Sequence, residues 1–176
     1  QVEGSEVANQ TCVDAEFLGD LGDGSSSTSR TGKVVPVDDS DWYKFKAVDG
    51  PDPDGCDTFH VRVRLLKNPN DAYAFDVFRG RCAGADHLCS EATLFEYMTD
   101  FYAETGQPDA PGGECPCAPD ANHNLTPTNF KDDTSANTHQ CTSQTADFYI
   151  RVFRKPGAAI ACDDYQIEFS NGINDG

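Results

Sequence analysis

The chain is 176 residues long, which suits one ordinary domain with a core of its own. Thirteen Lys and Arg against 30 Asp and Glu leave −17 at pH 7, a field that repels phosphate backbones and anionic lipid and so excludes nucleic acid as an expected partner. Mean hydropathy is −0.56, and no apolar run approaches the roughly 18 residues of a membrane-spanning helix, so no membrane insertion is expected.

Residues 1–32 hold few apolar side chains beyond Val13, Phe17, Leu18 and Leu21, then a Gly, Ser and Thr stretch over 22–32. This reads as an N-terminal entry arm ending in a flexible turn. From Lys33 onward the pattern becomes short runs of period two, rich in aromatic and β-branched residues and closed by Asp, Gly, Asn or Pro. Residues 33–176 are therefore expected to form one β-sandwich domain. The expected strands are 34–37, 41–48, 59–65, 72–79, 94–102, 147–154 and 165–169. In 41–48, Tyr43, Phe45 and Ala47 point one way and Trp42, Lys44 and Lys46 the other. Phe59, Val61, Val63 and Leu65 alternate in the same manner with His60, Arg62 and Arg64. Of the 30 acids, 22 are Asp, a turn and cap residue, so the acidity is assigned to loops. Fifteen Gly and ten Pro, evenly scattered, leave no room for long helices. The fold class is all-β: an antiparallel sandwich of the jelly-roll kind, carrying one long loop insertion over about 105–144. That loop, poor in aliphatic residues, is a natural place for a binding surface or a passive excursion.

Eight cysteines, Cys12, Cys56, Cys82, Cys89, Cys115, Cys117, Cys141 and Cys162, are an even set without a haem signature or paired zinc knuckles. Disulfides are the expectation, and with them an oxidising, extracellular or cell-surface location. Gln1, able to cyclise to pyroglutamate, suits a mature N-terminus. Cys82 and Cys89 bracket a short polar loop and form the expected local bridge. Cys115-Pro116-Cys117 is expected to bond two distant partners, a redox role being the alternative, while Cys12 or Cys56 is expected to reach Cys141 or Cys162. Asn9-Gln10-Thr11 and Asn124-Leu125-Thr126 match the N-glycosylation acceptor pattern.

The run Asp38-Asp39-Ser40-Asp41-Trp42-Tyr43-Lys44-Phe45 follows Thr31-Gly32-Lys33 and precedes the alternating segments Asp147-Phe148-Tyr149-Ile150-Arg151-Val152 and Asp164-Tyr165-Gln166-Ile167-Glu168. In this pattern the chain resembles the bacterial pre-peptidase C-terminal domain. The resemblance implies a small jelly-roll-like sandwich of a secreted bacterial protein, related to calcium-dependent collagen-binding modules. The chain departs from that family in its extra cysteines and its insertion between about 80 and 146, and no attached peptidase is expected.

Calcium is the metal expected from the residues, because hard cations take several oxygen ligands from short Asp-rich loops. Asp38, Asp39 and Asp41 form one candidate set, and Asp52, Asp54 and Asp57 a second, which echoes a calcium loop but has Val61 where an EF-hand carries its Glu. Asp163 and Asp164 are a poorer third candidate. The same Asp residues also read as ordinary turn formers and solvated caps. No nucleophile elbow, zinc-helix motif or P-loop is present, and the four histidines are dispersed, so no enzymatic activity is expected.

Seven basic residues, Lys44, Lys46, Arg62, Arg64, Arg151, Arg154 and Lys155, fall on or at the end of expected strands while Asp crowds the loops. A basic sheet and acidic rims would meet between copies head to tail. Two functional readings follow. The first is a non-catalytic structural or adhesive subunit that self-assembles or coats a cell surface. The second is a monomeric binding module for an extracellular protein or polysaccharide, with Trp42, Tyr97, Phe101 and Tyr102 as candidate contacts.

Overall fold

A computed structural model describes residues 9–24, 26–34, 39–50, 59, 61–82, 145–158 and 163–172, and the backbone alone of 96–98. Among the described residues eight strands form in chain order: β1 (Glu16–Gly22), β2 (Ser26–Gly32), β3 (Ser40–Val48), β4 (Val61–Lys67), β5 (Tyr73–Arg79), β6 (Glu96–Met98), β7 (Ala146–Arg154) and β8 (Tyr165–Asn171). No α-helix occurs among the described residues.

The strands divide into two four-stranded sheets, ordered β1-β3-β7-β5 and β2-β8-β4-β6. All pairings are antiparallel except β1 beside β3. The alternation legible in the sequence decides which face each sheet buries. Tyr43, Phe45 and Ala47 of β3, Val61, Val63 and Leu65 of β4, Phe148, Ile150 and Val152 of β7, and Tyr165, Ile167 and Phe169 of β8 are all buried. Rings interlock the layers. Phe45 stacks on Phe148 within the first sheet at 5.5 Å and meets Phe169 of the second at 5.8 Å, while Tyr43 meets Phe169 at 5.4 Å. Each such fully buried side chain contributes about 1.5–3 kcal/mol of hydrophobic stabilisation.

Residues 16–32 are not an arm and turn: they supply an edge strand to each sheet, β1 and β2. Apolar content is low there because an edge strand buries less of itself; of β1 only Leu21 is buried, and β2 alternates half-buried and exposed positions. A turn at Asp23 carries the chain from one sheet to the other. Asp23 Oδ2 accepts from the Gly50 amide at 2.6 Å, and the Asn171 side chain donates to the carbonyls of Leu21 and Val48 at 2.9 and 3.1 Å. Gly172, at φ +73°, passes so close that a Cβ would overlap the Asp23 carbonyl. Val34 is buried but lies outside any strand, and 35–37 are outside the described residues. Of the expected strand 94–102, β6 is the described part.

The local Cys82–Cys89 bridge is not what forms. Cys82 bonds Cys12, 70 residues away, tying the turn before β1 to the chain leaving β5. Sequence proximity favoured Cys89, but pairing depends on how the sheet brings its two flanking segments together. Cys56, Cys89, Cys115, Cys117, Cys141 and Cys162 lie outside the described residues.

Candidate binding face

The outward side of the first sheet is built by the positions out of phase with the core. In register across the strands, Trp42 lies beside Arg151 and then Asp76; Phe17 lies beside Lys44, Tyr149 and then Phe78; Asp20 lies beside Lys46 and then Asp147; Ser40 lies beside Phe153. Five aromatic side chains thus occupy positions where a solvated sheet normally carries polar residues. Phe17 is 59 % exposed and the other four are half-buried.

These rings are held by one another and by cations. Trp42 and Phe78 lean together across β7 and stack with centroids 5.5 Å apart. The Trp42 indole donates to Ser40 Oγ at 3.2 Å, and its amide donates to the Asn9 carbonyl at 2.7 Å, fastening β3 to the turn that the Cys12–Cys82 bond anchors. Lys44 lies 5.0 Å above the Tyr149 ring and Arg151 5.1 Å from the Phe153 ring, cation–π geometry in both cases.

The face is also electrically balanced. Lys44, Lys46 and Arg151 are matched by Asp20, Asp76 and Asp147 among its described strand residues. Lys44 Nζ is 2.9 Å from Asp147 and Arg151 is 4.0 Å from Asp76. The Asp147 carboxylate, with Tyr149 beside it, holds the Lys44 ammonium above its ordinary pKa. On the second sheet Arg64 pairs with Glu168 at 2.8 Å. Arg154, at the end of β7 on the first sheet, is buried under Tyr73 with its guanidinium donating to the Val34 carbonyl at 3.0 Å. Of the seven residues of the expected basic sheet surface, Lys44, Arg64 and Arg151 pair with acids on neighbouring strands, and Arg154 is withdrawn into the core. Cross-strand placement, which the linear sequence does not display, brings those acids alongside.

Of the six expected calcium ligands, Asp39 and Asp41 are among the described residues. Asp41 is buried, and its Oδ2 accepts from the Tyr165 hydroxyl at 2.5 Å, so its carboxylate is directed at the core tyrosines. Asp39 Oδ1 accepts from the Ser40 amide at 2.8 Å. Asp38, Asp52, Asp54 and Asp57, on which the rest of the calcium expectation stands, lie outside the described residues, as do Phe101, Tyr102 and the side chain of Tyr97. Among the described residues no three His, Cys, Asp or Glu side chains gather as a metal site. Of the four aromatic candidates Trp42 alone is placed on the described surface. Sequence reading missed its companions Phe17, Phe78, Tyr149 and Phe153. The signal was present, since each of the last three occupies an outward position in an alternating run.

The chain matches no family model, no curated protein and no solved structure.

Proposed function

We propose that this domain is a non-catalytic extracellular recognition module, related to the pre-peptidase C-terminal domains, that holds a neutral polysaccharide on the outer face of its β1-β3-β7-β5 sheet. The observation that carries the reading is the Trp42–Phe78 stack among Phe17, Tyr149 and Phe153 at outward positions. Aromatic side chains left in contact with water in a group mark a surface that gains by being covered. A pyranose ring has an apolar face for such a platform and hydroxyls for the flanking Lys44, Asp147, Arg151 and Asp76. Charge favours an uncharged occupant: the face balances three cations with three carboxylates on a molecule of −17. An anionic polymer would be repelled by the whole protein, and a cationic one would be drawn to the acidic loops. The Cys12–Cys82 disulfide is in keeping with an oxidising environment.

The test is affinity electrophoresis of the native protein through gels containing neutral glucans, mannans or galactans, with polyuronates and matrix proteins as comparators. Retardation by a neutral polymer that is lost in Trp42→Ala and weakened in the solvent-facing Phe17→Ser supports the reading. Binding confined to a matrix protein, or retardation that both variants retain, overturns it.

A further inference from the structure

Each of the four edge strands that the described residues form leaves one row of backbone amides and carbonyls without a ladder, and they differ in how that row is guarded. The β1 edge is interrupted by a register shift between Phe17 and Asp20, with Gly19 at φ +103°. It also carries two carboxylates, Glu16 and Asp20, while β5 carries Asp76 and β6 carries Glu96. The remaining edge, β2, has no such guard. Its seven residues, Ser-Ser-Thr-Ser-Arg-Thr-Gly, pair with β8 in unbroken antiparallel register from Ser26–Asn171 to Gly32–Tyr165. It contains no Pro, Lys, Asp or Glu, and among the described residues no strand pairs with its far side.

We infer that β2 is a pairing edge for a second copy of this chain, joined antiparallel about a two-fold axis at Ser29. The charge pattern selects that occupant. On a molecule of −17 most self-contacts set carboxylate against carboxylate, and β2 is the edge strand that has none. Two-fold pairing centred on Ser29 places Ser29 opposite itself, Arg30 opposite Thr28 and Ser27 opposite Thr31, so no like charges meet directly and hydroxyl faces hydroxyl. Arg30, the one charged residue of the strand, is already neutralised from the other sheet. Its Nε lies 2.7 Å from Glu16, and its Nη1 donates to Thr28 Oγ1 at 3.3 Å and to the Ser29 carbonyl at 2.8 Å. That carbonyl keeps a second lone pair for an incoming amide. Joining the two edges makes one eight-stranded sheet across the pair. The contact is isologous and closes on itself, so it yields a dimer and not a filament.

The experiment is sedimentation velocity of the full chain from micromolar to near-millimolar concentration, with Ser29→Lys, Ser29→Asp and an equimolar mixture of the two. Position 29 is an exposed strand position, and a thermal melt of each variant checks that the fold is retained. The wild type is expected to form a concentration-dependent dimer. Each variant alone sets like charges in contact and should raise the dimer dissociation constant by at least about tenfold. The mixture should restore a heterodimer. A wild type that stays monomeric throughout, a dimer indifferent to either charge, or folded variants that do not reassociate on mixing would each overturn the assignment.

Discussion

Tyr165 and Asp41, 124 residues apart in the chain, meet inside the sandwich, where the tyrosine hydroxyl donates to Asp41 Oδ2 over 2.5 Å. That proton is thereby committed, so in the 2.5 Å contact between the hydroxyls of Tyr43 and Tyr165 it is Tyr43 that donates. The relay links both sheets to a buried carboxylate, and Gly32 packs against it so closely that a Cβ there would collide with the Tyr165 hydroxyl. Tyr165→Phe removes the donor and leaves Asp41 a buried acceptor with one fewer partner. The expected cost is about 1–3 kcal/mol at neutral pH, read from the urea midpoint of folded wild type and variant.

The same tyrosines give the fold an alkaline limit. Burial, before any other influence, raises Tyr43, Tyr165 and Tyr73 above their ordinary pKa. A group raised in the folded state holds its proton longer there than in the unfolded chain, so its contribution is complete below the unfolded pKa and is lost above it. Stability should be insensitive to these groups up to about pH 10 and fall as pH rises beyond it. Equilibrium denaturation between pH 8 and 11.5 checks the sign. Tyr43→Phe, which removes one titrating hydroxyl, should shallow the alkaline decline even though it lowers stability at pH 8.

The disulfide between Cys12 and Cys82 closes a loop of 70 residues in sequence. Replacing both with Ser should lower stability by about 2–4 kcal/mol, chiefly by releasing the unfolded chain. The core rings lie on strands that this bond does not form, so near-ultraviolet circular dichroism should persist at low temperature while the melting midpoint falls. An unchanged midpoint would mean that the bond restrains nothing.

Gly172 offers a sharper local test. Its φ of +73° and its contact with the Asp23 backbone leave no room for a side chain. Gly172→Ala should cost at least about 1–3 kcal/mol through backbone strain alone, and more if the Asp23 turn must move. Gly80, with φ +86° and open space around it, should cost less on the same substitution. Comparing the two melts separates strain from crowding.

If the balanced charge of the outer face sets its ligand preference, Asp76→Asn with Asp147→Asn should turn that face cationic while leaving the rings in place. The part-exposed Lys44–Asp147 pair contributes at most about 1 kcal/mol, and Asn at the more buried position 76 keeps the shape and an acceptor oxygen, so the variant should fold. Its retention by neutral polymers should fall relative to polyuronates, measured in the same gels.

The sheets are legible in the sequence wherever alternation is strong. Tyr43, Phe45, Ala47, Val61, Val63, Phe148, Ile150, Val152, Tyr165, Ile167 and Phe169 all lie where period-two patterning places a core. β1 and β2 escaped notice because edge strands need only one weakly apolar face, and a Ser- and Thr-rich run reads the same whether it pairs or loops. Trp42 was legible as a surface aromatic, but its stacking with Phe78 was not, because the two lie on strands that flank a third segment more than 65 residues away in sequence.

Class and phase are written in the chain's own pattern. Period-two alternation, scattered Gly and Pro, and acids concentrated as Asp lead to an all-β chain with apolar and outward positions assigned strand by strand, since these follow from local pleat geometry. Which segments become neighbours is a property of the assembled fold. Strand order placed β7 between β3 and β5 and β8 between β2 and β4, which sets the five-ring outer face and the acid beside each of Lys44, Arg64 and Arg151, while the packing of the two sheets and the course of their connections bring Tyr165 to Asp41 and Cys12 to Cys82. Such pairings depend on the closure of long loops and on packing between sheets, energies that belong to the assembled fold and leave no periodic trace in the chain.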